Sequence, residues 1–178
     1  LSLLPDHPWH QKLHLHWTVS EDEGHKMIKR TTDEVTQFYS NRRNIPAVDG
    51  TSKLSPYLAW GNISPRQVCH AVLNKDAQLG SRGENKFLTE IGWREFSYHL
   101  LHHFPRSTDN PLRPKYASFP WREDAEALSK WQFGNTGYAL VDAGMKQLYE
   151  TGWMHNRVRM VVASFLVKHL LLSWKEGA

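Results

Sequence analysis

The stretch from Gly134 to Glu176 constrains this chain more than any other. Physically it reads as two helices joined by a short turn. The first starts around Leu140 and stops at Gly152, a residue suited to the left-handed position past a helix end. The second is expected to run from about Met154 to Lys175. It is apolar almost all round from Met160 to Leu172, as in a helix buried inside a larger domain. Asn156 and Arg159 break that pattern in its first two turns; they lie three apart and share a face. A polar pair opening an otherwise buried helix needs partners, from the protein or from a ligand.

The rest of the chain reads as more helix. Gly24 to Arg43 is amphipathic, with Met27, Ile28, Val35, Phe38 and Tyr39 near helical spacing. A turn at Pro46 and Gly50 follows. Ser55-Pro56 and Ser64-Pro65 are helix starts, a capping hydroxyl ahead of a proline suited to the first helical position, and the second opens a helix through Leu73. Beyond a linker at Gly80–Gly83, a long helix is expected from Glu84 to Phe104. There Phe87, Ile91, Tyr98 and Leu101 form a stripe that Arg94 interrupts. A guanidinium so placed needs an anion, and Glu90 lies four residues earlier. Pro105 to Pro120 reads as a surface loop, and a further helix is expected from Arg122 through Trp131. Strand signals are nearly absent, so the fold class is all-α. The expected organisation is a leading linker segment at 1–23 and one helical domain at 24–178.

Composition excludes several classes. With 178 residues there is room for one domain with a real core. Against 18 Asp and Glu stand 22 Lys and Arg, a mild excess that permits an anionic partner without demanding one. The lone cysteine, Cys69, excludes an internal disulfide framework and points to a reducing, cytoplasmic compartment. Its neighbours Val68, Ala71 and Val72 make it a small buried hydrophobe. Most of the eight Trp are read as aromatic anchors in a helical core. The apolar run at Met160–Leu172 holds Lys168 and His169 and is too short to span a bilayer, and no signal peptide is visible. His10, His14 and His16 have no matching carboxylate or cysteine cluster, so no metal is expected. With no initiator Met and an abrupt stop after a buried-type helix, the chain reads as an excerpt of something longer.

Several motifs occur in a telling order. They are Thr136-Gly137-Tyr138, Val141-Asp142-Ala143, Trp153-Met154-His155-Asn156-Arg157-Val158-Arg159-Met160 and Ala163-Ser164-Phe165-Leu166-x-Lys168. Together they resemble the flavin-binding domain of the DNA photolyase and cryptochrome family, and the resemblance covers about Ser20 to the end. It implies a helical FAD-binding domain, incomplete at both ends. It also implies light-driven repair of cyclobutane pyrimidine dimers in DNA by an electron from excited, reduced FAD, the cofactor doing the hard chemistry. The damaged bases must leave the duplex, as they do for photolyases. The alternative is a cryptochrome, a blue-light receptor of the same fold without repair.

The resemblance also assigns roles. Thr51, Ser52, Lys53, Leu54 and Ser55 match the loop that holds the dinucleotide's phosphates, where ordinary helix capping is the local alternative. Tyr39 matches a phosphate-contacting tyrosine. Glu90 contacts the damaged pyrimidines, Trp93 stacks on them, and Arg94 supports the cofactor. Asn156 and Arg159 match residues beside the flavin, and Asn156 can hydrogen-bond it without carrying a charge. Trp121 and Trp174 match two members of a tryptophan chain for photoreduction, with core packing as the alternative. Six-four enzymes carry histidines where Asn156 and Met160 stand, and plant-type cryptochromes usually carry Asp in place of this Asn; neither pattern fits, which favours dimer repair with Met160 on the lesion side. The implied partner is ultraviolet-damaged DNA, bound by a monomer with no membrane involved. A second antenna chromophore is expected on a domain absent here. With the downstream flavin-ring residues also absent, this chain alone is expected to bind flavin weakly or not at all.

Overall fold

In the computed structural model, residues 9–79 and 82–178 are described, side chains at 9, 76–79 and 82–85 excepted; among them every regular element is helical. The chain divides into two compact units. One is Thr18–Arg106; the other joins the stretch up to Trp17 to Ser107–Ala178.

In the Thr18–Arg106 unit, α2 (Glu21–Arg30) begins earlier than its apolar spacing predicts. Ser20 caps it, its hydroxyl accepting from Glu23 N at 3.0 Å, and Glu21, Asp22 and Glu23 place negative charge on the first turn. The run continues through a wide turn at Thr31–Val35 and a tight one at Thr36–Phe38 into α3 (Tyr39–Arg42). Buried Thr31 and Thr36 donate their hydroxyls to the carbonyls of Met27 and Thr32, a back-bonding that bends helices. At α4 (Ser55–Ala59) the expected Ser55 cap is absent. Leu54 holds the cap position, no side chain caps the helix, and Pro56 sits in its first turn. Helix α5 (Pro65–Leu79) runs past the expected end at Leu73. Ser64 and Gln67 close a reciprocal box at its start, Ser64 Oγ accepting from Gln67 N and Gln67 Oε1 from Ser64 N. Helix α6 (Arg82–His103) takes in Arg82 and Gly83 as helix rather than linker; Gly80 and Ser81 lie outside the described residues. Phe87 and Ile91 are buried, whereas Tyr98 and Leu101 are exposed, so only the first half of the expected stripe faces the core. Cys69 on α5 is half-buried, and burial, then the charge of Glu95, pushes its thiol up.

The other unit opens within the segment expected as a linker, of which residues 1–8 lie outside the described residues. Helix α1 (Trp9–His14) lies against α8 (Ala139–Thr151), where the Trp17 indole donates to Thr151 O at 2.6 Å. Helix α7 (Ala125–Gln132) starts after Asp124, which accepts from Ala127 N at 2.9 Å, rather than at Arg122. Helix α8 ends at Gly152, φ +68°, as predicted. Helix α9 (Asn156–Ser164) passes into a wide turn at Phe165–His169 and stops there, short of Lys175. Leu171 is left-handed (φ +57°), and Leu172 N reaches back to Leu166 O at 3.1 Å, a Schellman-type close. Nor is α9 buried all round: Val158 and Val162 face the core, while Met160 and Val161 are exposed. Among the described tryptophans only Trp131 is buried, with its indole on Val162 O at 3.1 Å, so the expectation that most are core anchors does not hold. Among the described residues, no helix is long and apolar enough to cross a membrane.

Candidate functional site

Each unit holds part of the predicted site. In the Thr18–Arg106 unit the residues converge on Glu90, in the buried half of α6. Arg43 donates to Glu90 Oε1, and the Lys86 ammonium lies 3.4 Å from the same oxygen. Burial pushes the Glu90 carboxyl up, but the Arg43 hydrogen bond and the charges of Arg43 and Lys86 outweigh it and hold the group below the usual carboxylate range. The Arg43 guanidinium also sits over the Tyr39 ring, 5.2 Å from its centre, and Tyr39 meets Phe87 edge-on at 5.2 Å. Burial raises the Tyr39 phenol, which the positive charge of Arg43 opposes and the negative charge of Glu90 reinforces, so it stays protonated and able to donate.

One turn beyond Glu90, the Trp93 indole is 59% exposed, braced edge-on by Phe96 at 5.7 Å. Arg94 does not pair with Glu90. Its guanidinium bonds Glu95, Leu58 O at 3.1 Å and the Tyr98 hydroxyl at 3.3 Å, tying α6 to α4. Glu90 is drawn away because α3 presents Arg43 to it, a tertiary contact that α6 spacing alone does not show.

The predicted phosphate loop is built on buried anchors. Leu54 is 1% exposed and plugs the loop into the core. Gly50 fits because a Cβ there would lie 2.9 Å from the Arg42 carbonyl carbon. Asp49 binds Arg30 at 3.0 Å and Lys53 at 3.2 Å. Lys53 is left-handed, φ +54°, and Leu54 right-handed, φ −77°, and the turn is closed by Ser52 Oγ, which accepts from Leu54 N at 3.4 Å. With the half-buried hydroxyls of Thr51 and Ser52, the exposed Ser55 and the Lys53 ammonium, this donor set fits a pyrophosphate.

In the other unit, Asn156 and Arg159 occupy the first turn of α9, both exposed. His155 caps that turn, Nδ1 accepting from Arg157 N at 3.2 Å, and Arg159 donates to Met154 O at 3.3 Å. Met160 is exposed at the side of a groove of about 600 Å³ that Tyr138, Leu140, Val161 and Phe165 also line. The Thr-Gly-Tyr and Val-Asp-Ala motifs serve each other: Asp142 accepts from Thr136 N, Thr136 Oγ1 and Gly137 N. Burial raises the Asp142 carboxyl, and those bonds lower it further than burial raises it. Trp121, beside Phe119 at 4.4 Å, and Trp174 are both half-buried. Arg43 and Lys86 were not singled out from the sequence, although their signals were there: Arg43 follows Tyr39 by four residues, and Lys86 precedes Glu90 by four.

A family model described as the FAD binding domain of DNA photolyase matches residues 87–178. The chain is 44% identical over 176 residues to the deoxyribodipyrimidine photo-lyase of Agrobacterium fabrum, covering 98% of this chain and 37% of that protein. Among solved structures, it is similar to a bacterial class III photolyase from Agrobacterium tumefaciens, with TM-score 0.93, 44% identity, 98% of this chain and 36% of that one. It is also similar to a cryptochrome from Synechocystis sp. PCC6803, with TM-score 0.85, 32% identity, 94% of this chain and 35% of that one. The chain thus spans about a third of the length of the proteins it matches.

Proposed function

Since the chain belongs to the family of the FAD-binding domain of DNA photolyases, we propose that it carries flavin-binding and lesion-binding residues of an enzyme that repairs cyclobutane pyrimidine dimers in DNA. The observation that carries this reading is the pairing on α6 of an ionised Glu90, gripped by Arg43 and Lys86, with an exposed Trp93 one turn away. The carboxylate accepts hydrogen bonds from the N–H edge of a flipped pyrimidine, and the indole offers its face for stacking. Met160, exposed on α9, adds apolar contact on the lesion side.

When bound, reduced FAD excited by blue light supplies the electron that opens the dimer. The residues of this chain bind and orient. Thr51, Ser52, Lys53 and Ser55 hold the phosphates on a loop that Leu54 anchors, and Tyr39 offers a protonated hydroxyl to them. Arg94 supports the pocket by fastening α4 to α6. Asn156 and Arg159 present an amide and a cation to the flavin, neither adding negative charge. Trp121 and Trp174 pass electrons inward during photoreduction. The enzyme acts as a cytoplasmic monomer on ultraviolet-damaged DNA, with a second antenna chromophore on a further domain.

The test uses a protein of its relatives' length that carries this chain. It is bound to DNA containing one cyclobutane thymine dimer, illuminated with blue light under reducing conditions, and the remaining dimers are counted. Loss of dimers, abolished by Glu90→Ala with Trp93→Ala, is the expected result. The likeness to a cryptochrome structure favours one second reading, a photoreceptor. Intact dimers in the presence of bound, reduced flavin would replace the repair reading with that one.

A further inference from the structure

The last two turns of α6 carry histidines that the repair reading leaves unused. His99 and His103 lie four apart on one helical face, and their ring centres are 4.3 Å from each other. The His99 ring stacks on Phe96 at 6.4 Å and 18°, which limits its orientation, and His102 stands 5.0 Å from His103. All three are exposed, so bringing the imidazoles together buries little apolar surface. The place also favours a cation. The helix ends at His103, where its dipole is negative, and Glu95 lies one turn before His99 on the same stripe. Glu95 already engages Arg94, so it acts on a cation through its charge and not as a ligand.

We propose that His99 and His103 chelate a divalent transition-metal ion of the copper and zinc class, with solvent completing its coordination. Two imidazoles bound at 2.0–2.1 Å around a tetrahedral ion have ring centres about 5 Å apart, so the two rings, now 4.3 Å apart, need to open by under about 1 Å through side-chain rotation. The same i, i+4 spacing on one helix supplies both histidines of helical zinc sites. Imidazole selects copper, nickel and zinc over magnesium and calcium, and copper(II) binds most tightly in that series. Among the described residues no group of three or more His, Cys, Asp or Glu side chains forms a metal cage, so the site is a two-ligand, solvent-open one rather than a closed structural centre. The chelate clips the last turn of the helix that bears Glu90 and Trp93. His99 lies about 9 Å along the axis from Trp93, at 1.5 Å per residue.

One other pair needs discriminating. His10 and His14 are also four apart, with ring centres 6.1 Å from each other, but they sit on a helix of only six residues, a length that holds its register poorly by itself. Copper(II) titration of the protein, followed by electron paramagnetic resonance, tests the assignment independently of any repair activity. The first equivalent is expected to show nitrogen donors, and His99→Ala and His103→Ala each to weaken it by more than about tenfold, the loss that even outer-sphere changes reach. His14→Ala is expected to leave it unchanged. Excess zinc is expected to raise the melting temperature of the parent and not of His99→Ala/His103→Ala, with helical circular dichroism matched beforehand. Retention of the first equivalent in His99→Ala and His103→Ala, or its loss in His14→Ala, would overturn the proposal.

Discussion

Replacing Gly144 with alanine puts one methyl group into the closest approach of α8 and α9. A Cβ at this position would lie 2.5 Å from Val158 Cγ1 and 3.1 Å from Val162 Cγ2. Neither neighbour can give way cheaply. Both are buried, and a valine in a helix holds essentially one side-chain rotamer. The helices must therefore part by a sizeable fraction of an ångström, an overpacking cost of about 1–3 kcal/mol. Alanine returns up to about 1 kcal/mol through its higher helix propensity. With the full return, the net expectation is a loss of up to about 2 kcal/mol, or up to about 8 °C in melting temperature for a chain of this size. Urea or thermal unfolding measures it. The mechanism has its own check in the double variant with Val158→Ala, which removes the obstructing methyl groups. Alone, Val158→Ala costs about 1.6 kcal/mol or more for two buried carbons. Combined with Gly144→Ala it should cost less than the sum by about 1 kcal/mol. A stabilised Gly144→Ala, or a strictly additive pair, would refute the close-approach argument. Under the proposed function, in which Asn156 and Arg159 on the first turn of α9 face the flavin, the single variant placed in a protein of its relatives' length should also lower flavin retention.

Two more outcomes follow from the packing and the charges. Arg43→Met removes the main force holding Glu90 ionised, so its carboxyl rises toward the ordinary range. In the parent, a depressed folded-state pKa contributes stability that is present above the ordinary carboxylate value and is lost as pH falls through the folded one. Urea midpoints taken at pH 7 and near pH 3 should therefore fall more in the parent than in Arg43→Met; equal falls would remove Glu90 from the account. Trp131→Ala removes the largest side chain of the core cluster that includes Val141, Val158 and Leu166, together with the indole bond to Val162 O, at a cost of about 3–5 kcal/mol by chemical denaturation; a loss under about 1 kcal/mol would mean the site collapses freely.

Local chemistry decided much of this chain, and the residues show where it stopped. Gly152 ends α8, Ser64-Pro65 opens α5, and the absence of alternating apolar runs excludes a sheet, all from short-range rules that need no partner. The ordered motifs marked the flavin family, and that resemblance offered Glu90, Trp93 and the Thr51–Ser55 loop as site candidates. Three things needed the tertiary structure. The Glu90 carboxylate is shared by Arg43 and Lys86 rather than by Arg94, because the end of α3 brings Arg43 alongside it. The helical run that begins with α9 ends at His169 although Leu170–Lys175 suits a helix, because Leu171 turns left-handed and its carbonyl accepts from Arg122 N at 2.8 Å, from a segment some fifty residues away. Lys53 holds a positive φ that no glycine announces, fixed by the buried Leu54 beside it. The division is physical: caps, breakers and periodicity act within a few residues and are written in the sequence, whereas the partner of a charge or the end of an apolar helix depends on what the rest of the chain brings alongside.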